Sequence, residues 1–252
     1  MNDKLSKRRI LITGAASGIG HGIAREFVAQ GARVALIDRA SDALKANAGE
    51  FGDAAVPISA DVSDPTEIER AVERSIRDLD GLDGVVNAAG ISLWRSIEET
   101  SLEEWRTLLA VNLDGPFLVC KAAIPALKAA GGGTIVNIGS GSSLRPTRNF
   151  GAYCSSKAGL MMMTKVLATE LVDFNIRANV ICPGVIHTAM VERTLAASAD
   201  REQRTRQYFE RQAMKRFGTV EEIAKLATFL TGPDSSFTTG SAYSADGGSV
   251  YH

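Results

Sequence analysis

A strand, a glycine turn and a helix in immediate succession near the start of this chain restrict its fold more than any other feature. Arg9 to Thr13 reads as a buried strand, Thr13-Gly14-Ala15-Ala16-Ser17-Gly18-Ile19-Gly20 as the turn, and the stretch after it as a helix with Ile23, Ala24, Phe27 and Val28 on one side. Glycines at 14, 18 and 20 permit a tight reversal. They also let backbone N–H groups and the positive end of the helix dipole meet at one point, which favours a pyrophosphate. Such a unit buries its faces only within a larger parallel sheet, so further strands and helices should alternate after it.

The alternation continues. Ala32 to Asp38 reads as a second strand whose last residue is an acid about twenty positions beyond the glycine turn. The Asp38 carboxylate can accept hydrogen bonds from both adenosine ribose hydroxyls and would repel a 2′-phosphate, so NAD is expected over NADP. Arg39 is the neighbour that could tolerate that phosphate, and Ser17 adds no positive charge to the turn. Val56 to Ala60 is the third strand, followed by Asp61-Val62 and a helix from Pro65 with its amphipathic body from Ile68 to Leu79. Asp61 either meets the adenine edge or is a solvated loop carboxylate.

Leu82 to Val86 delivers Asn87-Ala88-Ala89-Gly90 to the carboxyl end of a fourth strand, where open parallel sheets bind ligands and small side chains leave room for a flat cofactor. A helical segment from Leu102 to about Ala130 contains Asn112, whose buried amide must be bonded to something. It can satisfy a neighbouring carbonyl, or kink the helix and hold a water near Lys157; Pro116 and Pro125 favour a bend. Gly133 to Ser140 is the fifth strand, with Ser140 on the ligand edge, and a helix from Gly151 to Val172 comes next, its Met161-Met162-Met163 run serving packing or a subunit contact. Ile176 to Ile181 is the sixth strand, stopped at Cys182-Pro183-Gly184 so that the Ile186 backbone and the Thr188 hydroxyl turn towards a nicotinamide carboxamide. Ala189 to Phe217 is an arginine-rich helical lid. Thr219-Val220-Glu221-Glu222 opens another helix by a capping box, and Ala242 to Ala245 is the last strand, before Asp246-Gly247-Gly248.

Tyr153 and Lys157 stand four apart, so at the start of a helix they project from one face. An ammonium beside a phenol favours phenolate, which makes the pair a credible proton-transfer device, although the same spacing falls on many helices that carry no chemistry.

Without linkers or repeats, the chain reads as one α/β domain over 1–252, its dinucleotide half about 1–140 and its catalytic half about 141–252. A net charge of -1 gives no basic field for nucleic acid. Three scattered cysteines, Cys120, Cys154 and Cys182, and the histidines His21, His187 and His252 have no metal-ligand or disulfide spacing, so no metal is expected. No apolar stretch reads as a membrane span or signal segment, and a cytoplasmic protein is expected.

With Thr13-Gly14-x-x-x-Gly18-Ile19-Gly20, Asp61-Val62, Asn87-Ala88-Ala89-Gly90, Asn112, Ser140, Tyr153-x-x-x-Lys157, Pro183-Gly184 and Asp246-Gly247-Gly248 in this order, the chain resembles the short-chain dehydrogenase/reductase family over nearly its whole length. The resemblance implies a doubly wound Rossmann fold with a seven-stranded parallel sheet and helices on both faces. It also implies a homotetramer built through two long helices, and a catalytic tetrad of Asn112, Ser140, Tyr153 and Lys157. Tyr153 would be the acid/base, Ser140 would hold the substrate oxygen, and Lys157 would bind the nicotinamide ribose, lower the tyrosine pKa and join Asn112 in a proton path.

For the substrate, Arg193 and Arg211 resemble in their spacing from Tyr153 the lid arginines of hydroxybutyrate dehydrogenases of this family, and Arg145 and Arg148 precede the tyrosine. A carboxylate or sulfonate clamp by Arg148, Arg193 and Arg211 would select a small hydroxy acid or sugar acid; the same lid arginines could instead pair with Glu192, Glu202 and Glu210. A neutral sugar or polyol dehydrogenase, a 3-oxoacyl-carrier-protein reductase and a nucleotide-sensing binding protein are the alternatives.

Overall fold

In the computed structural model, which describes residues 3–250 apart from 197, 199 and 211, the seven strands form one parallel sheet in the order β3-β2-β1-β4-β5-β6-β7. The strands are β1 (Arg9–Thr13), β2 (Arg33–Asp38), β3 (Ala55–Ser59), β4 (Gly84–Asn87), β5 (Gly133–Ile138), β6 (Ile176–Pro183) and β7 (Ala242–Ala245). Arg211, one of the expected clamp residues, and His252 lie outside the described residues. The order reverses between β1 and β4, which opens a crevice at their carboxyl ends.

The strands are apolar on both faces because helices cover both. Along β1, Ile10 and Ile12 pack under α1 (Gly18–Ala29), α2 (Ser41–Phe51) and α9 (Val220–Thr231), through Ile23, Phe27, Leu44 and Ile223. Leu11 points the other way, under α3 (Pro65–Leu79), α5 (Gly115–Ala129) and α6 (Gly151–Leu171), through Ile68, Val119 and Leu167. Each fully buried side chain of this size stabilises the fold by roughly 1.5–3 kcal/mol, so the sheet interior dominates stability. The α2 helix has no counterpart among the elements expected from the sequence: only Leu44 and Ala48 are buried on it, too few to mark a periodicity.

Several helix ends form as their residues dictate. Asp64 Oδ1 accepts from the amides of Thr66 and Glu67 at 2.8 and 3.0 Å, with Pro65 at the first helical position of α3. Thr219 and Glu222 complete the capping box of α9, and Ser101 and Glu104 that of α4 (Leu102–Leu109). Between α4 and α5 the backbone widens into one π-helical turn, Ala110–Asp114, with Asn112 fully buried in it. The irregularity expected from the prolines is thus a π turn at the asparagine; Pro116 follows it within the continuous helix, where the widened turn accommodates its missing N–H.

Two further expectations are corrected. Strand β6 does not stop at Ile181: Cys182 and Pro183 stay in register with Ser244 and Ala245 of β7. And the continuous helix Leu102–Ala129 is long and apolar enough, by length and composition, to cross a membrane. Within this fold Val119, Cys120, Ala123 and Leu127 of that helix are buried in the core, while Phe117 is exposed.

Candidate active site

A cleft of about 990 Å³ runs along the carboxyl ends of the strands, from Gly14, Asp38 and Asp61 to Tyr153, Arg193 and Arg204. Its first wall is the glycine turn. Gly14 has φ +68°, and a Cβ there would stand 2.7 Å from the Ala89 backbone, so the turn after β1 lies directly on the loop after β4. Thr13 Oγ1 accepts from the amides of Ala88 and Ala89, both at 3.2 Å, and fixes that approach. Asn47 of α2, which no motif marks, donates to the carbonyls of Ala15 and Ala16 at 3.2 and 3.0 Å.

Ser17 makes no side-chain cap for α1 and lines the cleft together with Gly18, Ile19 and Gly20. Asp38 ends β2 with Oδ2 accepting from the Ala16 amide at 3.1 Å and Oδ1 from that of Ala40 at 3.0 Å. Asp61 accepts from Ser63 Oγ at 2.6 Å and from the Ser63 amide at 2.9 Å, and these bonds hold its carboxyl below the usual carboxylate range. Val62, Ala88 and Gly90 also line the cleft.

Asn87 does not. Its Nδ2 donates to Asn137 Oδ1 at 2.8 Å and lies 3.4 Å from Cys120 Sγ, while Asn137 donates to Thr164 at 2.8 Å. The side chain therefore belongs to a buried polar chain linking β4, β5, α5 and α6, because the strand alternation turns it away from the ligand edge.

At the centre, Ser140 follows β5 in extended conformation and its Oγ accepts from the Ser142 amide at 3.1 Å. Tyr153 stands on the first turn of α6, its ring stacked on Phe150 with centroids 4.3 Å apart. Burial pushes the Tyr153 hydroxyl up, and the hydrogen bond with the Ser140 side chain works against that rise. Lys157, almost fully buried, donates from Nζ to the Ile138 carbonyl at 2.8 Å and lies 5.8 Å from the Tyr153 ring centroid. Burial lowers its own pKa to about 8. Burial outweighs the other influences on the tyrosine here, with the ammonium bonded to the Ile138 carbonyl and 5.8 Å from the ring centroid.

Asn112 Oδ1 accepts from the Ile91 amide and its Nδ2 donates to the Ile91 carbonyl, both at 2.9 Å. The first of the two roles open to it, satisfying a neighbouring backbone, is met by these bonds, and the π turn supplies the helix irregularity of the second. It nevertheless lies close to the lysine: a Cβ built on Gly90 would be 3.3 Å from Asn112 Oδ1 and 3.5 Å from Lys157 Nζ.

The loop after β6 closes the far wall. Gly184 lies so close to Asp246 that a Cβ would stand 2.7 Å from the Asp246 Cα, and Asp246 accepts from the amides of Gly248 and Val250 at 3.0 and 2.8 Å. Pro183, Gly184, Ile186 and Thr188 line the cleft as expected, and Ile186 is pinned by a bridge to Gly218. Beyond them α7 (Ala189–Ala196) and α8 (Arg201–Glu210), the segment expected as a lid, line the outer cleft, with Glu192 accepting from Arg201 at 2.9 Å and lying 2.8 Å from His187 Nε2.

Among the expected substrate arginines, Arg193 lines the cleft and Arg148 does not; the chain reverses through Asn149, at φ +59°, and leaves Arg148 exposed. Arg204 lines it instead. Its guanidinium lies 4.6 Å from the Trp94 ring centroid and 5.8 Å from that of Tyr208, and its buried Nε has no hydrogen-bond partner among the described residues. Trp94 in turn packs on Phe150 at 4.7 Å, so aromatic rings run unbroken from the tyrosine to the lid. Sequence spacing gives no sign of this wall, since its members come from the β4 loop, the α6 entrance and α8.

Comparison with known proteins fits this geometry. The model of a protein family described as enoyl-(acyl carrier protein) reductase matches residues 14–250. The chain belongs to the short-chain dehydrogenase/reductase family. The inactive 2-(S)-hydroxypropyl-CoM dehydrogenase 2 of Xanthobacter autotrophicus is 39% identical over 90% of this chain and 98% of its own. The D-beta-hydroxybutyrate dehydrogenase of Rhizobium meliloti is 34% identical over 94% of this chain and 96% of its own. The ligand-free structure of Thermoplasma acidophilum aldohexose dehydrogenase superposes with a TM-score of 0.90 at 29% identity, covering 100% of this chain and 97% of the other.

As a short-chain dehydrogenase/reductase the protein is an oxidoreductase acting on CH–OH groups with a nicotinamide cofactor. The glycine turn fits such a dinucleotide: Gly14, Gly18 and Gly20 line the cleft without side chains at the start of α1, and Gly14 and Gly20 have no room for a Cβ against the backbone.

Proposed function

We propose that this chain is an NAD-dependent dehydrogenase that interconverts a small anionic secondary alcohol, a hydroxy acid or sugar acid, with its ketone. The charge layout of the cleft carries the anionic reading. Its lining carboxylates, Asp38 and Asp61, both stand at the end of the glycine turn, while the lining arginines beyond Ser140 are Arg145, Arg193 and Arg204, with no described acid lining that end. Arg204 Nε is a buried donor in need of an acceptor, and a buried unpaired donor is costly unless a ligand supplies one.

When bound, a nicotinamide cofactor would supply or accept the hydride. Asp38 would receive the adenosine ribose hydroxyls, and Asp61 and Val62 would border the adenine. Ser140 orients the substrate oxygen, Tyr153 gives it a proton in reduction and takes one in oxidation, and Lys157 holds the nicotinamide ribose. Asn112 holds the Ile91 backbone and α6 in place around them. Arg204, beside the rings of Trp94 and Tyr208, engages the anionic group, with Arg193 also lining the cleft.

Hydroxy acids against neutral polyols and aldoses of the same carbon count test the reading. For the best acid, Arg204→Gln is expected to raise KM at least tenfold with little change in kcat, and to leave any neutral alcohol unaffected; an unchanged KM removes the clamp. The aldohexose dehydrogenase relative keeps a neutral sugar as the second reading, favoured by the Trp94–Phe150 ring face. A 3-oxoacyl-carrier-protein reductase is opposed by Asp38, and a nucleotide sensor by the complete set of Ser140, Tyr153 and Lys157. We place the protein in the cytoplasm, as its three free thiols suit, with no nucleic-acid or membrane partner. We also place it in a homotetramer built on α5 and α6, whose Phe117, Met162 and Val166 are exposed apolar side chains on these helices.

A further inference from the structure

At the opposite, amino-terminal end of the sheet lies a second cavity, of about 220 Å³, lined by Lys4, Arg8, Thr134, Asn175, Arg177 and Thr231 among others. It has no part in the chemistry described above. Thr134 and Arg177 are register partners on β5 and β6, so their side chains leave the sheet together. Arg8 enters from the segment before β1, and Thr231 closes the end of α9.

Two guanidiniums are half-buried here and close enough to repel one another. Neither is within ion-pair distance of a carboxylate among the described residues; Asp83, whose charge acts on Arg8, is paired with Arg9 at 2.8 Å, and Lys4 is paired with Asp234 at 2.8 Å. Their described acceptors are neutral. Arg8 donates to the Asp83 carbonyl at 2.8 Å and to Thr134 Oγ1 at 3.2 Å, and Arg177 to the carbonyls of Thr238 and Gly232, both at 3.1 Å. Carbonyls meet some donors without balancing the charge, and burial accordingly lowers both arginine pKa values. Arginine cannot shed its proton at neutral pH, so the charge persists.

Two donors remain over. Arg8 Nε is buried with no hydrogen-bond partner among the described residues, and so is the hydroxyl of Thr231, a residue that is 1% exposed. No acid among the described residues lines the cavity. Asp83 offsets part of the Arg8 charge through space, but a buried hydroxyl left unpaired beside two guanidiniums without an ion pair is a poor arrangement for a merely structural pocket.

We propose that this cavity is a binding site for a tetrahedral oxyanion, phosphate or the phosphoryl group of a small metabolite, held by Arg8, Arg177 and Thr231. Such an anion would tie the entrance to β1, the start of β6 and the end of α9 together. It would bind there whatever alcohol the cleft accepts.

The test is calorimetric titration of inorganic phosphate, and separately of glycerol 3-phosphate, into the intact protein saturated with NAD, in chloride buffer, so that the pyrophosphate cradle is already filled. Wild type is expected to bind one phosphate saturably in this cavity and to gain thermal stability in proportion. Arg177→Gln is expected to weaken that binding at least tenfold without changing turnover. Thr231→Val guards against a variant that fails to fold: removing an unpaired hydroxyl should not lower stability in chloride, yet should still weaken phosphate binding. Preference for inorganic phosphate assigns a free ion, and preference for the ester assigns a metabolite. Equal affinity in wild type and both variants, or no saturable binding below about 10 mM, overturns the site.

Discussion

Asn112 donates from Nδ2 to Ser156 Oγ at 3.2 Å. Ser156 Oγ donates onward to the Tyr153 carbonyl at 2.8 Å, so the π-helical turn between α4 and α5 is tied to the turn of α6 that presents the tyrosine. The same amide closes a two-bond ring on Ile91. A widened turn is what lets one side chain reach both elements.

Asn112→Ala should therefore act on stability and activity together. It leaves the Ile91 amide and carbonyl without their partner in a buried setting, which costs about 1–3 kcal/mol for each group. A fall of about 2–6 kcal/mol in urea denaturation is expected, with turnover reduced at least tenfold as α6 loses its tether. Ser156→Ala, which removes only the second link, should cost about 1 kcal/mol and far less activity.

Lys157 should be a residue that the fold tolerates at a cost. Its folded pKa of about 8 lies below the usual lysine value of 10.5, so the native state binds fewer protons than the unfolded state between those two values. Stability from this group consequently rises with pH from about 8 to about 10.5, and the charge penalty is complete below 8. Lys157→Met is expected to raise the melting temperature at pH 7 while abolishing turnover, and to flatten the rise in stability above pH 8. A melting temperature lowered at pH 7 would show that its bond to the Ile138 carbonyl outweighs burial of the charge.

As the proposed acid/base, Tyr153 should set the direction of the pH profile. Burial raises its pKa, so alcohol oxidation, which needs the phenolate, should accelerate as pH rises through the alkaline range, and ketone reduction, which needs the phenol, should slow over the same range. Ser140→Ala removes the bond that opposes the rise and should move both profiles to higher pH; steady-state rates in the two directions measure this.

Elements whose cause is local are legible in the sequence. The Asp64–Pro65 start of α3, the Thr219–Glu222 cap and the glycine turn are each specified by residues within one turn of the chain, and each stands where its residues predict. Asn112 is visible as a buried amide in an apolar helix, but its partner is Ile91, 21 residues away, and no spacing rule connects them. Arg204 is hidden for the same reason: a lid helix must fold over Trp94 before one arginine among many becomes the cleft's own. Arg148 misleads because proximity to Tyr153 in sequence is not proximity in space, and the left-handed Asn149 cancels it.

Gly14→Ala should abolish cofactor binding and impair folding. The residue has φ +68°, and its added methyl would stand 2.7 Å from both the Cα and the amide nitrogen of Ala89, backbone that cannot swing aside. Gly49→Ala, by contrast, adds a methyl in α2 with no neighbour within 4 Å and should stabilise the helix by about 0.5–1 kcal/mol. Thermal unfolding and quenching of protein fluorescence by NAD measure the two effects separately.

Asp38→Ser should relax cofactor choice at the expense of affinity. Both carboxylate oxygens are held by backbone amides, Oδ2 by Ala16 and Oδ1 by Ala40, so the charge is fixed at the end of β2 and cannot rotate away from a 2′-phosphate. Removing it takes away the repulsion and leaves Arg39, whose side chain is 72% exposed and 4.0 Å from Asp61, free to swing to the phosphate. The ratio of kcat/KM for NADP over NAD is expected to rise at least tenfold, with NAD binding weakened because the Ala16 amide also loses its acceptor. If wild type already uses NADP as well as NAD, the assignment of Asp38 as the discriminating residue fails, and Arg39 becomes the residue to examine by Arg39→Ala.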